Sequence, residues 1–302
     1  MPNAPLVDRL DGLLFFPVTA FSSSGELELD PFREHVRRGI EAGAAGVFAA
    51  CGTGEFSALD LDEYAACVAA AVEVADGRVP IIAGTGYGGA LASRFLERAA
   101  DAGADGALVL PPYLVDGGPD GLRAHYEQLA DASPLDLILY QRGSAIFEPS
   151  TVAALAEHPR IVGFKDGHGD VDLMQRIVAT VPSMFYLNGL PTAEVSQPAY
   201  RAVGVNVYSS AVYCFAPDIA LAFYRALRGG DDVLVGRLLD EFYVPFVELR
   251  RRGPGYAVAL VKAGVRLTGL DVGPVRAPLR EADDEHVKAL AELIERGRRV
   301  LG

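Results

Sequence analysis

Lys165 stands inside the apolar run Ile161-Val-Gly-Phe-Lys-Asp-Gly167, where a strand leaves a side chain little freedom and apolar neighbours desolvate it. Burial penalises an ammonium group and lowers its pKa, so a lysine there can present the neutral amine that attacks a ketone, which an arginine cannot do. Lysine is scarce in this chain, with only Lys165, Lys262 and Lys288. The alternative is a structural lysine paired with Asp166 or another carboxylate. Tyr140 closes the run Leu137-Ile-Leu-Tyr140 and is expected beside Lys165 on a neighbouring strand, where a phenol could shuttle protons during imine formation. A core tyrosine bonded to a backbone carbonyl is the other reading.

Neutral donors and small residues close other apolar runs. In Cys51-Gly-Thr-Gly-Glu55, the small residues Gly52 and Gly54 would let backbone N–H groups and the Thr53 hydroxyl approach a carboxylate, although a plain tight turn has the same composition. Asn188-Gly189 and Ser209-Ser210 end two further runs, and Arg142 is the cation nearest Tyr140. Gly84-Thr-Gly-Tyr-Gly-Gly89 matches a dinucleotide fingerprint, but no acidic residue closes the following strand, so a nucleotide site is not expected. Arg250-Arg251-Arg252 reads as a solvated helix end. The five histidines are scattered; only His168 is placed to reach the lysine loop, and a surface role is the expected one even there. Neither a metal nor an organic cofactor is expected, because a lysine imine is itself an electron sink.

The elements that must hold these residues recur along the chain. Strand-length apolar runs lie at Leu13–Phe21, Gly46–Thr53, Pro80–Gly86, Gly106–Tyr113, Asp136–Gln141, Ile161–Gly167, Phe185–Gly189 and Val205–Ser210. Segments of helical period, such as Asp30–Glu41, Leu61–Val74, Leu91–Asp101 and Val171–Thr180, separate them. Strands apolar on both faces imply a parallel sheet covered by helices, and eight such units predict a (β/α)8 barrel; an open doubly wound sheet is the rival. Residues 1–228 form the expected barrel, with the site at the C-terminal ends of its strands, and 229–302 a helical extension broken by Gly-Pro turns.

A net charge of −13 would repel nucleic acid and anionic membrane surfaces, so neither is an expected partner; an acidic small molecule needs only local cations and N–H groups. Cys51, Cys67 and Cys214 form no disulfide framework or zinc spacing, and the first apolar run is short and follows Asp8 and Asp11. A cytoplasmic protein is expected.

Phe16-Pro-Val-Thr19, Gly52-Thr-Gly-Glu55, Leu139-Tyr140 and Gly163-Phe-Lys-Asp-Gly167, in this order, resemble the dihydrodipicolinate synthase and N-acetylneuraminate lyase superfamily of Schiff-base barrels. Tyr140-Gln-Arg142, Gly189-Leu-Pro-Thr-Ala-Glu194 and Tyr208-Ser-Ser-Ala-Val212 are most similar to its 5-dehydro-4-deoxyglucarate dehydratase branch. The resemblance implies Lys165 as Schiff-base former, Tyr140 as proton relay, and Thr53, Ser209 and nearby backbone as contacts to an acidic sugar substrate. It implies a decarboxylating dehydration and a homotetramer. The chain departs from the synthases where their first loop threonine becomes Gly52 and their borrowed tyrosine becomes Leu114. A class I aldolase releasing pyruvate, or a ligand-binding barrel without turnover, are the functional alternatives.

Overall fold

The computed structural model describes residues 5–302. Eight strands, β1 (Leu14–Phe15), β2 (Gly46–Ala49), β3 (Ile81–Thr85), β4 (Gly106–Val109), β5 (Asp136–Gln141), β6 (Ile161–Asp166), β7 (Phe185–Asn188) and β8 (Val207–Ser210), pair in parallel and in chain order. Strand β8 returns to β1, with Leu14 opposite Ser209 and Phe15 opposite Ser210, so the sheet closes. Helices α1 (Leu29–Ala42), α2 (Leu61–Ala75), α3 (Gly89–Asp101), α4 (Gly118–Ala132), α5 (Pro149–Ala156), α6 (Val171–Thr180), α7 (Gln197–Ala202) and α8 (Pro217–Gly229) follow the strands in turn. This is the expected (β/α)8 barrel, and the closing pair excludes the open sheet.

Successive strand residues point to opposite faces, and the core divides accordingly. Phe48, Ile82, Leu108, Ile138, Leu187 and Val207 fill the lumen. Their neighbours Val47, Ile81, Ala107, Leu137, Tyr186 and Tyr208 face the helices. Leu6, which opens a 3-10 turn, and Leu10, which caps it, belong to the lumen cluster and close its lower end. Most strands stop short of their apolar runs, β1, β2 and β4 by the most. Pro17 ends β1 and Pro111-Pro112 follow β4, because a residue without an N–H cannot continue the ladder.

Beyond the barrel lie α9 (Asp232–Leu238), a π-helical turn at Leu239–Tyr243, α10 (Val244–Arg250), α11 (Tyr256–Leu267) and α12 (Asp284–Leu301). Their apolar faces share one core with the barrel helices. They also fasten to the loop after β2: buried Lys262 of α11 pairs with buried Glu55 at 2.8 Å, and the Arg276 N–H donates to Glu55 Oε2 at 2.9 Å. Among the described residues, no helix is long and apolar enough to cross a membrane.

Candidate active site

Lys165 lies at the upper end of β6 with Tyr140 of β5 directly opposite it in register. The lysine is 5% exposed, and its Nζ stands 4.0 Å from the centroid of the Phe16 ring and 4.6 Å from that of Tyr140. Among the described residues, no carboxylate lies within ion-pair distance of it. Asp166 is committed elsewhere: its carboxylate accepts from Gln141 Nε2 at 2.8 Å, from the His168 N–H at 3.0 Å, from the Gly169 N–H at 3.2 Å and from the Tyr200 hydroxyl. The paired-lysine alternative therefore fails. Burial, reinforced by the Arg142 cation and only partly offset by Cys51, draws the Lys165 pKa down to about 7.

Two glycines make room for this pair. A Cβ on Gly189 would sit 2.3 Å from Lys165 Cε, and one on Gly167 would sit 2.7 Å from the Tyr140 ring. The Tyr140 hydroxyl donates to the Gly189 carbonyl at 3.2 Å and accepts from Arg142 Nη1 at 3.3 Å. Burial raises the Tyr140 pKa, while Arg142 opposes the rise.

Lys165 and Tyr140 open into a cavity of about 380 Å³, which Gly52, Thr53, Arg142, Gly189, Ser209 and Ser210 also line. Two expected residues stand outside it. Gly54 is buried behind the loop, where its carbonyl accepts from Thr19 Oγ1 at 2.7 Å. The Asn188 amide is spent on the segment after β7: it donates to Ala193 O at 3.2 Å, Ser196 Oγ at 2.9 Å and Gln197 Oε1 at 3.0 Å, and its oxygen accepts from the Leu190 N–H. His168 is exposed and does not line the cavity.

The loop after β2 is folded tightly enough to present Gly52 and Thr53. Ala50 and Glu55 adopt left-handed φ values of 48° and 55°, which side-chain-bearing residues hold only when the surroundings fix them. One such fixture is Gly84 of β3, where a Cβ would meet the Ala50 carbonyl oxygen at 2.4 Å. The dinucleotide-like glycine at 84 thus serves strand packing. Among the described residues, no protein acceptor takes the N–H groups of Thr53 and Gly54.

Arg250, read from sequence as part of a solvated end, lines the cavity from the last turn of α10. Its Nη1 donates to Thr192, its Nε is buried without a partner, and no carboxylate pairs with it among the described residues. Arg251 and Arg252 are exposed as expected. The signal that separates Arg250 is phase: it follows Phe246 and Leu249, the buried positions of its helix. The cavity thus combines an amine that loses its proton near neutral pH, a phenol, the unpaired Thr53 N–H and two cations. That set can capture a 2-oxo acid covalently and hold a second anionic group.

Residues 9–296 match the model of the Dihydrodipicolinate synthetase family. A Streptomyces coelicolor protein named "Probable 5-dehydro-4-deoxyglucarate dehydratase 1" is 62% identical, over 98% of this chain and 97% of its own length. A relative of the same name, without the final numeral, from Paracidovorax citrulli is 46% identical over 94% of both. Among solved structures, dihydrodipicolinate synthase from Bacillus clausii superposes with a TM-score of 0.87 at 27% identity, covering 96% of this chain and 99% of that one. A dihydrodipicolinic acid synthase family protein from Escherichia coli, solved in complex with pyruvate, gives a TM-score of 0.85 at 25% identity, over 95% and 98% of the two chains.

Proposed function

The chain belongs to the dihydrodipicolinate synthetase family, and from that premise we propose that it converts 5-dehydro-4-deoxy-D-glucarate to 2,5-dioxopentanoate, water and CO2 through a Schiff base on Lys165. The observation that carries this reading is a buried lysine without a counter-ion on the cavity wall, its pKa near neutrality. The relatives that cover nearly the whole chain carry the name of that dehydratase, and a more distant family member binds pyruvate, the smallest 2-oxo acid of this kind.

The neutral Lys165 amine adds to the 2-oxo carbon, and loss of water gives an iminium. Tyr140 moves the protons of that step and then accepts one from the adjacent methylene, which the iminium has made acidic. The enamine so formed expels the hydroxyl on the next carbon. The resulting conjugated iminium accepts the electron pair released when the far carboxylate leaves as CO2; reprotonation on carbon and hydrolysis return the lysine. Thr53 and the loop N–H groups hold the near carboxylate. Arg250, with Arg142 at the mouth, holds the far one, which explains an unpaired guanidinium inside the cavity. Homotetrameric assembly and a cytoplasmic location belong to the same reading; the exposed apolar tip Tyr113-Leu114-Val115 after β4 supports contact with a second copy.

The test is to incubate the purified protein with 5-dehydro-4-deoxy-D-glucarate and follow the products by NMR together with CO2 release. Appearance of 2,5-dioxopentanoate with CO2 is expected; unchanged substrate, or pyruvate and an aldehyde, would discard the reading. Lys165→Ala and Lys165→Arg should each abolish turnover while circular dichroism stays unchanged, and only the wild type should gain a borohydride-stable adduct with pyruvate.

A further inference from the structure

The segment Gly189-Leu-Pro-Thr-Ala-Glu194, which leads from β7 towards α7, holds a threonine in a conformation that its side chain disfavours. Thr192 has φ 53° and ψ 63°, in the left-handed region that glycine and asparagine enter readily and a β-branched residue rarely does. It is 3% exposed and lines the cavity. Asn188 ties the segment on both sides of it, accepting from the Leu190 N–H and donating to Ala193 O, and the Thr192 carbonyl accepts from the Val195 N–H at 3.2 Å. A turn alone would be served better by glycine. What threonine adds is a hydroxyl, and its oxygen accepts from Arg250 Nη1, 58 positions away in the chain.

Arg250 has little else to hold it. Its Nε is buried without a partner, and the nearest ring, that of Phe246, is centred 5.7 Å from the guanidinium carbon. Glu194, fully buried in the same segment, favours the charge but accepts from Ser210 rather than from the arginine. Burial and the Arg142 cation both press the Arg250 pKa down, to about 10, so the two cavity guanidinium groups repel each other. Leu190, Pro191, Thr192, Arg250 and Ala257 border both this cavity and a second one of about 510 Å³, which Lys165 and Tyr140 do not line. Arg250 thus stands between two spaces. With the bond to Thr192 its long side chain is fixed; without it, the guanidinium has the room of both spaces to sample.

We propose that Thr192 is a positioning residue that fixes the Arg250 guanidinium at the cavity wall, and so makes the site prefer a 2-oxo acid with a second carboxylate over a monocarboxylic one. This rests on reading Arg250 as the group that holds the far carboxylate. A fixed guanidinium meets a carboxylate with paired N–H···O bonds, whereas a mobile one must be ordered at each binding event. The left-handed backbone at Thr192 presents the hydroxyl to the arginine, which accounts for strain kept beside a binding site. Thr192 makes and breaks no bond of the substrate. It acts on binding and leaves the chemical steps to Lys165 and Tyr140.

The probes are pyruvate and 2-oxoadipate, which share the 2-oxo acid end and differ in the far carboxylate. Their dissociation constants should be measured by calorimetry on the full-length wild type, Thr192→Val, Thr192→Gly, Thr192→Ser and Arg250→Ala, with KM and kcat for 5-dehydro-4-deoxy-D-glucarate alongside. The wild type should bind 2-oxoadipate at least about tenfold more tightly than pyruvate. Thr192→Val, which keeps the branched shape, and Thr192→Gly, which relieves the backbone, should each lose roughly fivefold to tenfold of that preference, with pyruvate binding within about twofold. In both, KM should rise by a similar factor while kcat stays within about threefold. Thr192→Ser keeps the hydroxyl and should keep the preference. Adding Thr192→Val to Arg250→Ala should cause no further loss, because the threonine acts only through the arginine. A folded Thr192→Gly with the wild-type preference would overturn the proposal, and so would an additive loss in the double variant. Either result, with the preference lost in Arg250→Ala, defeats this inference alone. A wild type that binds both acids equally defeats the reading of Arg250 as well, and one that forms no borohydride-stable adduct with pyruvate defeats the function on which both rest.

Discussion

A lysine buried without a counter-ion is a liability to the fold that the chain retains for its chemistry. In the unfolded chain its pKa is the ordinary one, 10.5, against about 7 in the folded protein. Between these values the unfolded state binds more protons, so this group makes stability rise with pH from about 7 to 10.5 and costs most below 7. Lys165→Met should therefore raise the melting temperature by several degrees at pH 6, and by less at pH 9, while abolishing turnover; calorimetry at the two pH values checks the sign. A variant that melts lower at pH 6 would mean that the ammonium is well accommodated. The lysine and tyrosine were legible in the sequence, because a strand run that ends in a reactive side chain leaves few other meanings. Glu194 was quoted there only as part of a motif: its burial depends on a turn packed against β8 and the π-helical turn, which sequence spacing does not disclose.

At the scale of elements, the strand ends aim the chemistry and the glycines beside them make the space. Gly189 follows β7, and the volume of its absent side chain is taken by the Lys165 stem. Gly189→Ala should lower kcat by about a hundredfold, with little change in fold, because the amine must shift from its near-attack position; a kcat within threefold of wild type would refute the packing argument. Helix α10 supplies the other polar arm. Arg250→Ala should raise the KM for the dicarboxylate substrate about tenfold to a hundredfold while leaving the affinity for pyruvate, which lacks a far carboxylate, within about twofold. Steady-state kinetics and pyruvate titration separate those two effects. Helices α2 and α6 and strand β5 follow the sequence pattern closely, since the period of their apolar residues is unbroken. The ends of β1 and β4 were overextended, because apolar content persists past the prolines that stop the ladder. Arg250 was overlooked in a run of three arginines, which differ in fate through helix phase alone.

Across the whole molecule, the first third of the barrel and the last third of the chain are joined at the active-site loop. Glu55 meets Lys262 in a pair exposed 1% and 0%, and Arg276 holds Glu63 from α2 in a second, partly buried pair. Removing one partner of a fully buried pair strands the other charge, at roughly 3 kcal/mol or more. Lys262→Met should lower the melting temperature by several degrees and raise KM as the Gly52-Thr53 loop loosens. Adding Glu55→Gln should recover part of that stability, and a double variant no better than the single would contradict the account. Such contacts between distant segments are what a sequence conceals most thoroughly: repeated strand-helix units announce a barrel, but nothing in a Gly-Thr-Gly-Glu turn names the lysine that will anchor it. The bond from Arg276 to Glu55 spans 221 positions. A ribosome must therefore pass position 276 before the Gly52-Thr53 loop can be locked. Until then the nascent barrel has its lysine but lacks that rigid cradle, so on the proposed function keto-acid capture matures only after the helices beyond the barrel are made.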